Sequence, residues 1–216
     1  RDAPALHRRA PRRHRHRLTA ALLLLAALAR PGGADDLRLA TWHVELSRRG
    51  PGLLLQDIAG RDDPQVAAVA SVIAGTRPDI LLLTGIDLDP GGATLAALQG
   101  ALAAAGAPYP HTLALPSNAG LPSGADLDGD GRRGTARDAQ GYGRFRGDGA
   151  MALLSRHPVE AGAVRDFTGL LWRDLPGARL PEDAGGAPFP SAEAQGVQRL
   201  SSAGHWAVPV RLPSGA

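Results

Sequence analysis

The run DILLLTGID, residues 79–87, constrains the fold more than any other stretch of the sequence. A strand that is apolar on both faces is typical of a sheet whose two faces are both buried by other elements. Helical patterns flank this strand. One begins at Asp63 and Pro64, a favourable cap and first-turn pair, and another occupies residues 94–108. The sequence therefore predicts an α/β domain.

The order of the predicted elements indicates how the strands pair. The other predicted strands are residues 37–46, 111–115, 149–155 and 205–212. Strands and helices alternate through the first half, which implies parallel pairing with right-handed crossovers. The second half is predicted to be mostly loop, in two stretches, 116–149 and 173–199. A long loop in a compact domain is usually functional.

Residues 1–34 have the organisation of a secretory signal peptide. Arginine-rich sequence precedes an apolar run of 12 residues, 18–29, and small residues suited to signal peptidase follow. The apolar run is short for a membrane span. We expect this segment to be cleaved and the protein to be secreted or periplasmic, without stable membrane insertion. Residues 35–216 then form one domain.

The charge of the chain is unevenly distributed. The whole chain carries +3, but residues 35–216 contain 16 arginines and 20 acids, a net charge of −4. A mildly acidic domain argues against a broad basic surface for nucleic acid. Cysteine is absent, which excludes disulfides and thiolate chemistry.

The stretch DLDGDGRRG, residues 126–134, is a candidate cation site. Asp126, Asp128 and Asp130 alternate, and Gly131 allows the chain to turn. Hard cations such as Ca²⁺ or Mg²⁺ take several carboxylate oxygens. An EF-hand loop would need an acid where Arg137 stands, so that motif is excluded. A solvated turn, in which each aspartate binds its own backbone, is the alternative, and the sequence leaves both open.

Polar residues also follow the predicted strands. Asp87 and Asp89 come after the buried strand, and His43 and Glu45 end the first strand. Paired carboxylates at a strand end can hold Mg²⁺ for phosphoryl chemistry, although helix capping also accounts for them. His43 is a catalytic candidate, with a structural or exposed histidine as the alternative. His205 is a second catalytic candidate, or else a hydrogen-bonded histidine beside a core tryptophan.

Several motifs together resemble a known superfamily. LATWH, RPDILLLTGID, GAMALLSRHPV and LLWRDLPG resemble the endonuclease/exonuclease/phosphatase superfamily of metal-dependent phosphoesterases, and more closely a secreted bacterial branch of it. The resemblance covers residues 37–213. It implies a four-layer α-β-β-α sandwich with two facing sheets and helices outside. It also implies a divalent metal, usually Mg²⁺, and a water that attacks a phosphate ester.

The chain departs from the superfamily pattern at two positions. His43 stands where the superfamily has an asparagine, and Gly85 stands where it has a metal-binding glutamate. Asp87 lies two residues further on, faces the same way and could replace that glutamate. The superfamily's Asp-x-Asn and Asp-His motifs follow further downstream, so we expect the C-terminal part of the fold to be missing.

These observations predict a secreted metal-dependent phosphoesterase, present as a fragment. Mg²⁺ is expected near Asp87 and Ca²⁺ at the Asp-rich loop. The alternative is a non-catalytic calcium-binding or interaction protein on the same fold with an eroded active site. The expected partner is a phosphate-ester substrate of undetermined type, with nucleic acid disfavoured by charge. The expected state is a monomer.

Overall fold

The computed structural model describes residues 36–212, so the predicted signal peptide, residues 1–34, lies outside the described residues. The strands are β1 (Leu39–Leu46), β2 (Ile80–Ile86), β3 (His111–Leu113), β4 (Ala150–Ser155), β5 (Arg165–Asp166) and β6 (Trp206–Ala207). The α-helices are α1 (Leu53–Gly60), α2 (Pro64–Thr76), α3 (Ala93–Ala104) and α4 (Ala192–Val197). The prediction of a mixed α/β fold is confirmed.

Four strands form one mixed sheet in the order β1-β2-β4-β3. β1 and β2 are parallel, as predicted. The prediction of parallel pairing was wrong for the third strand, because β4 lies between β2 and β3 and is antiparallel to both. β4 is apolar and almost entirely buried, whereas the short β3 is half-buried. The more buried strand takes the central place.

One face of the sheet packs against α1, α2 and α3. Alternate residues of the strands, such as Val44 and Leu83, point into this core, as the period of two requires. Asp63 caps α2 by accepting the backbone N–H of Val66 at 2.8 Å. The core also contains Leu46, Leu54, Ile58, Ile73, Leu81, Leu98, Leu102 and Leu154. Each such side chain contributes about 1.5–3 kcal/mol on burial.

The opposite face of β1 is open within residues 36–212. Leu39 is 66% exposed, and Thr41 and His43 are exposed as well. β5 and β6 form a separate sheet of two-residue strands. The predicted last strand, 205–212, is therefore much shorter than expected, since Pro209 has no N–H to donate to a ladder. The four-layer arrangement stays a prediction.

The loop over residues 116–149 is irregular, as predicted, apart from one 3-10 turn at Ala136–Asp138. The loop predicted over 173–199 contains the short helix α4, which Ser191 caps by accepting the N–H of Ala194 at 3.0 Å. No α-helix within residues 36–212 has the length and apolar character needed to cross a membrane.

Candidate functional site

Arg48, Asp87, Arg144 and Asp148 come together at one edge of the main sheet, and we call them the charged cluster. β1 and β2 are parallel and β4 is antiparallel to β2, so the ends of β1 and β2 meet the start of β4. Asp87 was predicted to lie at this edge. The other three residues lie on irregular segments without periodic pattern, so the sequence did not point to them.

The carboxylate of Asp87 is enclosed by backbone groups. Asp87 is only 4% exposed. Its Oδ2 accepts the N–H of Arg48 at 2.6 Å, and its Oδ1 accepts the N–H of Gly149 at 3.0 Å. Burial raises the pKa of Asp87 above its usual value; these hydrogen bonds oppose the rise, and the charge of Asp148 adds to it. Asp87 therefore connects the segment after β1 to the segment before β4.

The side chain of Arg48 links this edge to the helices. Its Nε donates to Asp57 in α1 at 2.5 Å, and its Nη2 lies 3.2 Å from Asp63, the cap of α2. Its Nη1 donates to Gln65 at 3.1 Å. All three guanidinium nitrogens therefore contact protein groups. These contacts fix the position of Arg48, whose backbone N–H donates to Asp87.

Asp148 is paired within its own segment. It is 6% exposed, and its Oδ2 accepts the backbone N–H and the Nε of Arg144 at 2.9 and 3.1 Å. The hydrogen bond with Asp148 raises the pKa of Arg144. Nη2 of Arg144 also donates to the carbonyl of Arg48 at 3.3 Å. The two buried carboxylates of the charged cluster are therefore each held by donors.

His43 lies on the open face of the sheet, next to Gly85. Its Nδ1 and Oγ1 of Thr84 are hydrogen-bonded at 3.1 Å. Gly85 has a φ of +71°, and a Cβ built on it would lie 2.5 Å from Cε1 of His43. The imidazole thus occupies the space that a side chain at position 85 would need.

The three aspartates of the predicted cation loop do converge, and we call them the Asp126 loop. One carboxylate oxygen of each of Asp126, Asp128 and Asp130 lies within 4.8 Å of the others. The oxygens of Asp126 also accept the N–H groups of Gly129 and Gly131 at 2.6 and 2.8 Å. Both sequence interpretations therefore have a basis: the carboxylates converge, and the turn binds its own backbone.

Asp138 holds the base of this loop. It is buried, and it accepts the N–H of Leu127 at 3.0 Å and the N–H and hydroxyl of Thr135, both at 2.9 Å. The backbone hydrogen bonds from Thr135 and Leu127 lower the pKa of Asp138, while desolvation opposes them. Asp138 is not among the residues predicted from the sequence. The Thr-x-x-Asp spacing of a capping box was its signal.

His205 contacts neither the charged cluster nor the Asp126 loop within the described residues. Its ring packs against Phe167, with centroids 5.3 Å apart. Its backbone N–H and the Nε1 of Trp206 both donate to the hydroxyl of buried Thr168, each at 3.1 Å. None of its hydrogen bonds within residues 36–212 reaches the charged cluster. A catalytic role for His205 stays a prediction.

A pocket of about 450 Å³ lies beside the charged cluster, beyond the ends of β2 and β3. Arg146 lines it, is exposed, and forms no ion pair within residues 36–212. Asp89 lines it too, but its carboxylate accepts the N–H groups of Ala93 and Thr94 at 3.0 and 2.7 Å. The pocket therefore carries one charge of each sign, and of the two only the guanidinium of Arg146 forms no hydrogen bond or ion pair within residues 36–212.

The long loop is fixed to distant parts of the chain through Asn118, which is fully buried. Its Nδ2 donates to the carbonyls of Thr168 and Ser201 at 2.8 and 2.6 Å. Its Oδ1 accepts Nη1 of Arg199 at 2.6 Å. Nothing in the local sequence marks Asn118, because its partners lie far along the chain.

Comparison with known proteins gives one family. The family model described as Endonuclease/Exonuclease/phosphatase family matches residues 53–214. This range includes Gly85 and Asp87 and begins after His43. A solved structure of an endonuclease/exonuclease/phosphatase from Beutenbergia cavernae DSM 12333 is 23% identical, with a TM-score of 0.32. The alignment covers 61% of this chain and 28% of that one. No curated protein matches.

Proposed function

Because the chain belongs to the endonuclease/exonuclease/phosphatase family, we propose that it is a hydrolase of phosphate esters. The observation that carries this proposal is the family match over residues 53–214. The family favours phosphodiesters, nucleic acids among them, as the substrate class. The net charge of −4 over residues 35–216 favours a small ester over a long polyanion.

Hydrolases of this family generally depend on a divalent metal, so the available ligands decide where a metal fits. At the end of β2 the residues do not fit. Gly85 has no side chain, and Asp87 is 4% exposed, with both oxygens accepting backbone N–H groups, whereas the aspartates of the Asp126 loop are half-buried or exposed. The predicted Mg²⁺ near Asp87 has no suitable donor set, and we assign no step of hydrolysis to it.

The Asp126 loop does fit a hard cation. Its three carboxylate oxygens converge within 4.8 Å, and carboxylates are the preferred ligands of Ca²⁺. We propose a structural Ca²⁺ held by Asp126, Asp128 and Asp130. Its charge would offset the repulsion among the three carboxylates.

Arg146 is our proposed anchor for the phosphate group. Its guanidinium is exposed, unpaired within residues 36–212, and lines the pocket beside the charged cluster. Guanidinium groups bind phosphate oxygens in a bidentate manner. Arg144 and Asp148 hold the segment that carries Arg146, since their ion pair closes the segment on itself and Nη2 of Arg144 donates to the carbonyl of Arg48, just after β1.

Hydrolysis assays with the full chain test this proposal. We expect release of nitrophenolate from bis(p-nitrophenyl) phosphate, measured with Mg²⁺, Mn²⁺, Ca²⁺ and EDTA in parallel. Arg146→Ala should raise KM about tenfold with little change in kcat, because one charge-assisted contact is lost. Arg179→Ala, an exposed arginine outside the pocket, is the matched control. Failure to cleave either a diester or a monoester under any of these conditions would contradict the proposal.

One observation favours a second function, a non-catalytic calcium-binding or interaction protein on the same fold. The ring of His43 fills the space above Gly85, the position where the family resemblance implies a metal-binding acid. Under this second proposal the chain binds Ca²⁺ at the Asp126 loop and cleaves no ester. The same assays separate the two functions.

We also propose that the protein is exported to the periplasm or medium and is a monomer. The proposal of export rests on the signal-peptide organisation of residues 1–34. N-terminal sequencing of the exported protein should begin within residues 30–36. A mature protein that retains residues 18–29 would contradict cleavage.

A further inference from the structure

The backbone at Gly85 has a left-handed φ, which favours glycine. β1 and β2 pair regularly up to His43 and Thr84, and the register then shifts before Leu46 pairs with Ile86. The ladder between β2 and β4 shifts at the same place. In the ladder with β4 the extra residue is Gly85, with a φ of +71°, and in the ladder with β1 the extra residue lies on β1, where Glu45 has a φ of +55°. A residue with a side chain would be strained there.

The ring of His43 closes the same position from the side. A Cβ on Gly85 would lie 2.5 Å from Cε1 and 2.9 Å from both ring nitrogens of His43. The hydrogen bond with Thr84 holds the ring in this place. The histidine at 43 and the glycine at 85 are therefore one coupled feature, and neither leaves room for a ligand side chain on β2.

Asp87 does not replace that ligand. A carboxylate that binds hydrated Mg²⁺ must present an oxygen to solvent, because the ion keeps several of its waters. Asp87 is 4% exposed, and its two oxygens accept backbone N–H groups at 2.6 and 3.0 Å. Within residues 36–212, the His, Asp and Glu side chains that converge in a group of three are those of the Asp126 loop.

We propose that the end of β2, defined by His43, Gly85 and Asp87, does not bind a divalent cation, in contrast to the metal dependence of the family. Any cation that the described domain binds is held elsewhere. The inference concerns metal binding and does not require that the chain be an enzyme.

Paramagnetic Mn²⁺ is the probe that tests this inference. In the full chain with Asp126→Asn, Asp128→Asn and Asp130→Asn, we expect millimolar Mn²⁺ to leave the amide signals of residues 84–87 and the ring signals of His43 without selective broadening. Asparagine keeps one side-chain oxygen, which serves the single N–H that Asp128 and Asp130 each accept, whereas Asp126→Asn gives up one of the two N–H groups that Asp126 accepts. The loop should therefore keep most of its turn hydrogen bonds. Selective broadening at residues 84–87 that Asp87→Asn removes would overturn the inference.

Calorimetry gives a second measurement that does not need the triple variant. Asp87→Asn should bind Mn²⁺ with the same stoichiometry and affinity as the unmodified chain. Loss of one binding site in Asp87→Asn would overturn the inference.

Activity separates this inference from the proposed function. Ester hydrolysis that requires Mg²⁺ and disappears in Asp87→Asn would support the hydrolase and overturn the inference. Hydrolysis that persists in EDTA would support both. No hydrolysis, together with no Mn²⁺ effect at residues 84–87, would support the inference and contradict only the hydrolase.

Discussion

Single residues decide what the end of β2 can do, and Gly85 is the most constrained of them. Alanine at this position meets two costs: the left-handed backbone, worth about 1 kcal/mol, and the overlap with the ring of His43. We expect Gly85→Ala to lower the free energy of unfolding by about 2–4 kcal/mol. In a His43→Ala background the loss should fall to about 1 kcal/mol, since only the backbone cost remains. Urea denaturation of the four proteins measures this coupling.

Gly52 provides the control for that cycle. Its φ is +79°, but nothing lies within 4 Å of a Cβ built on it. Gly52→Ala should therefore cost about 1 kcal/mol, with no dependence on residue 43. Equal losses for Gly85→Ala with and without His43 would show that the ring moves freely aside.

The sequence located Asp87 correctly but not its partners. Its position follows from the apolar run of β2, which can be recognised without a structure. Its enclosure by the N–H groups of Arg48 and Gly149 depends on how three separate segments meet. Hydrogen bonds across 39 and 62 residues leave no local pattern.

At the scale of secondary-structure elements, α3 shows how a carboxylate can cap a helix from a distance. Its N-cap, Gly92, has no side chain, and Asp89 accepts the N–H groups of Ala93 and Thr94 instead. Burial alone would raise the pKa of Asp89, but the hydrogen bonds from Thr94 and Ala93 together outweigh it and lower the pKa to about 2.

Asp89→Ala should therefore cost about 1 kcal/mol at neutral pH, as the loss of a helix cap does. A folded pKa below the ordinary 3.8 means that the contribution is complete above that value and is lost as the pH falls toward 2. Urea unfolding of the variant and the unmodified chain at pH 7, 4 and 2.5 tests this. A difference in stability that stays constant with pH would contradict it. Asp62→Ala, an exposed aspartate, should change little.

Elements with a clear hydrophobic period were predictable, and their arrangement was only partly so. β2 and α2 follow from the apolar run and from the Asp63–Pro64 cap. The place of β4 between β2 and β3 does not, because strand order depends on which surfaces are buried together. α4 has six residues, too few for a helical period to be recognised.

At the scale of the whole molecule, the Asp126 loop is expected to couple cation binding to stability. Ca²⁺ that binds only the folded chain should add about 2.7 kcal/mol at a hundredfold excess over Kd. We therefore expect millimolar Ca²⁺ to raise Tm. Replacement of Asp128 by asparagine and Asp130 by alanine should remove this rise. Differential scanning calorimetry measures both.

Asp183 serves as the control for the calcium effect. It lies in another turn, where it accepts the N–H groups of Gly185 and Ala187, at 2.8 and 2.9 Å. Asp183→Asn should leave the calcium-dependent rise in Tm unchanged. If Ca²⁺ does not change the Tm of the unmodified chain, the Asp126 loop is a solvated turn.

The contacts of Asn118 also determine when this protein can fold. Its partners Arg199 and Ser201 are 81 and 83 residues further along the chain. Gly141 packs against the same distant segment, because a Cβ built on it would lie 1.6 Å from the carbonyl oxygen of Ser202. On the ribosome, β1, β2 and α3 can pack before those partners exist. The long loop closes only after residues 199–202 have emerged, so its ordering should come later than the packing of those elements.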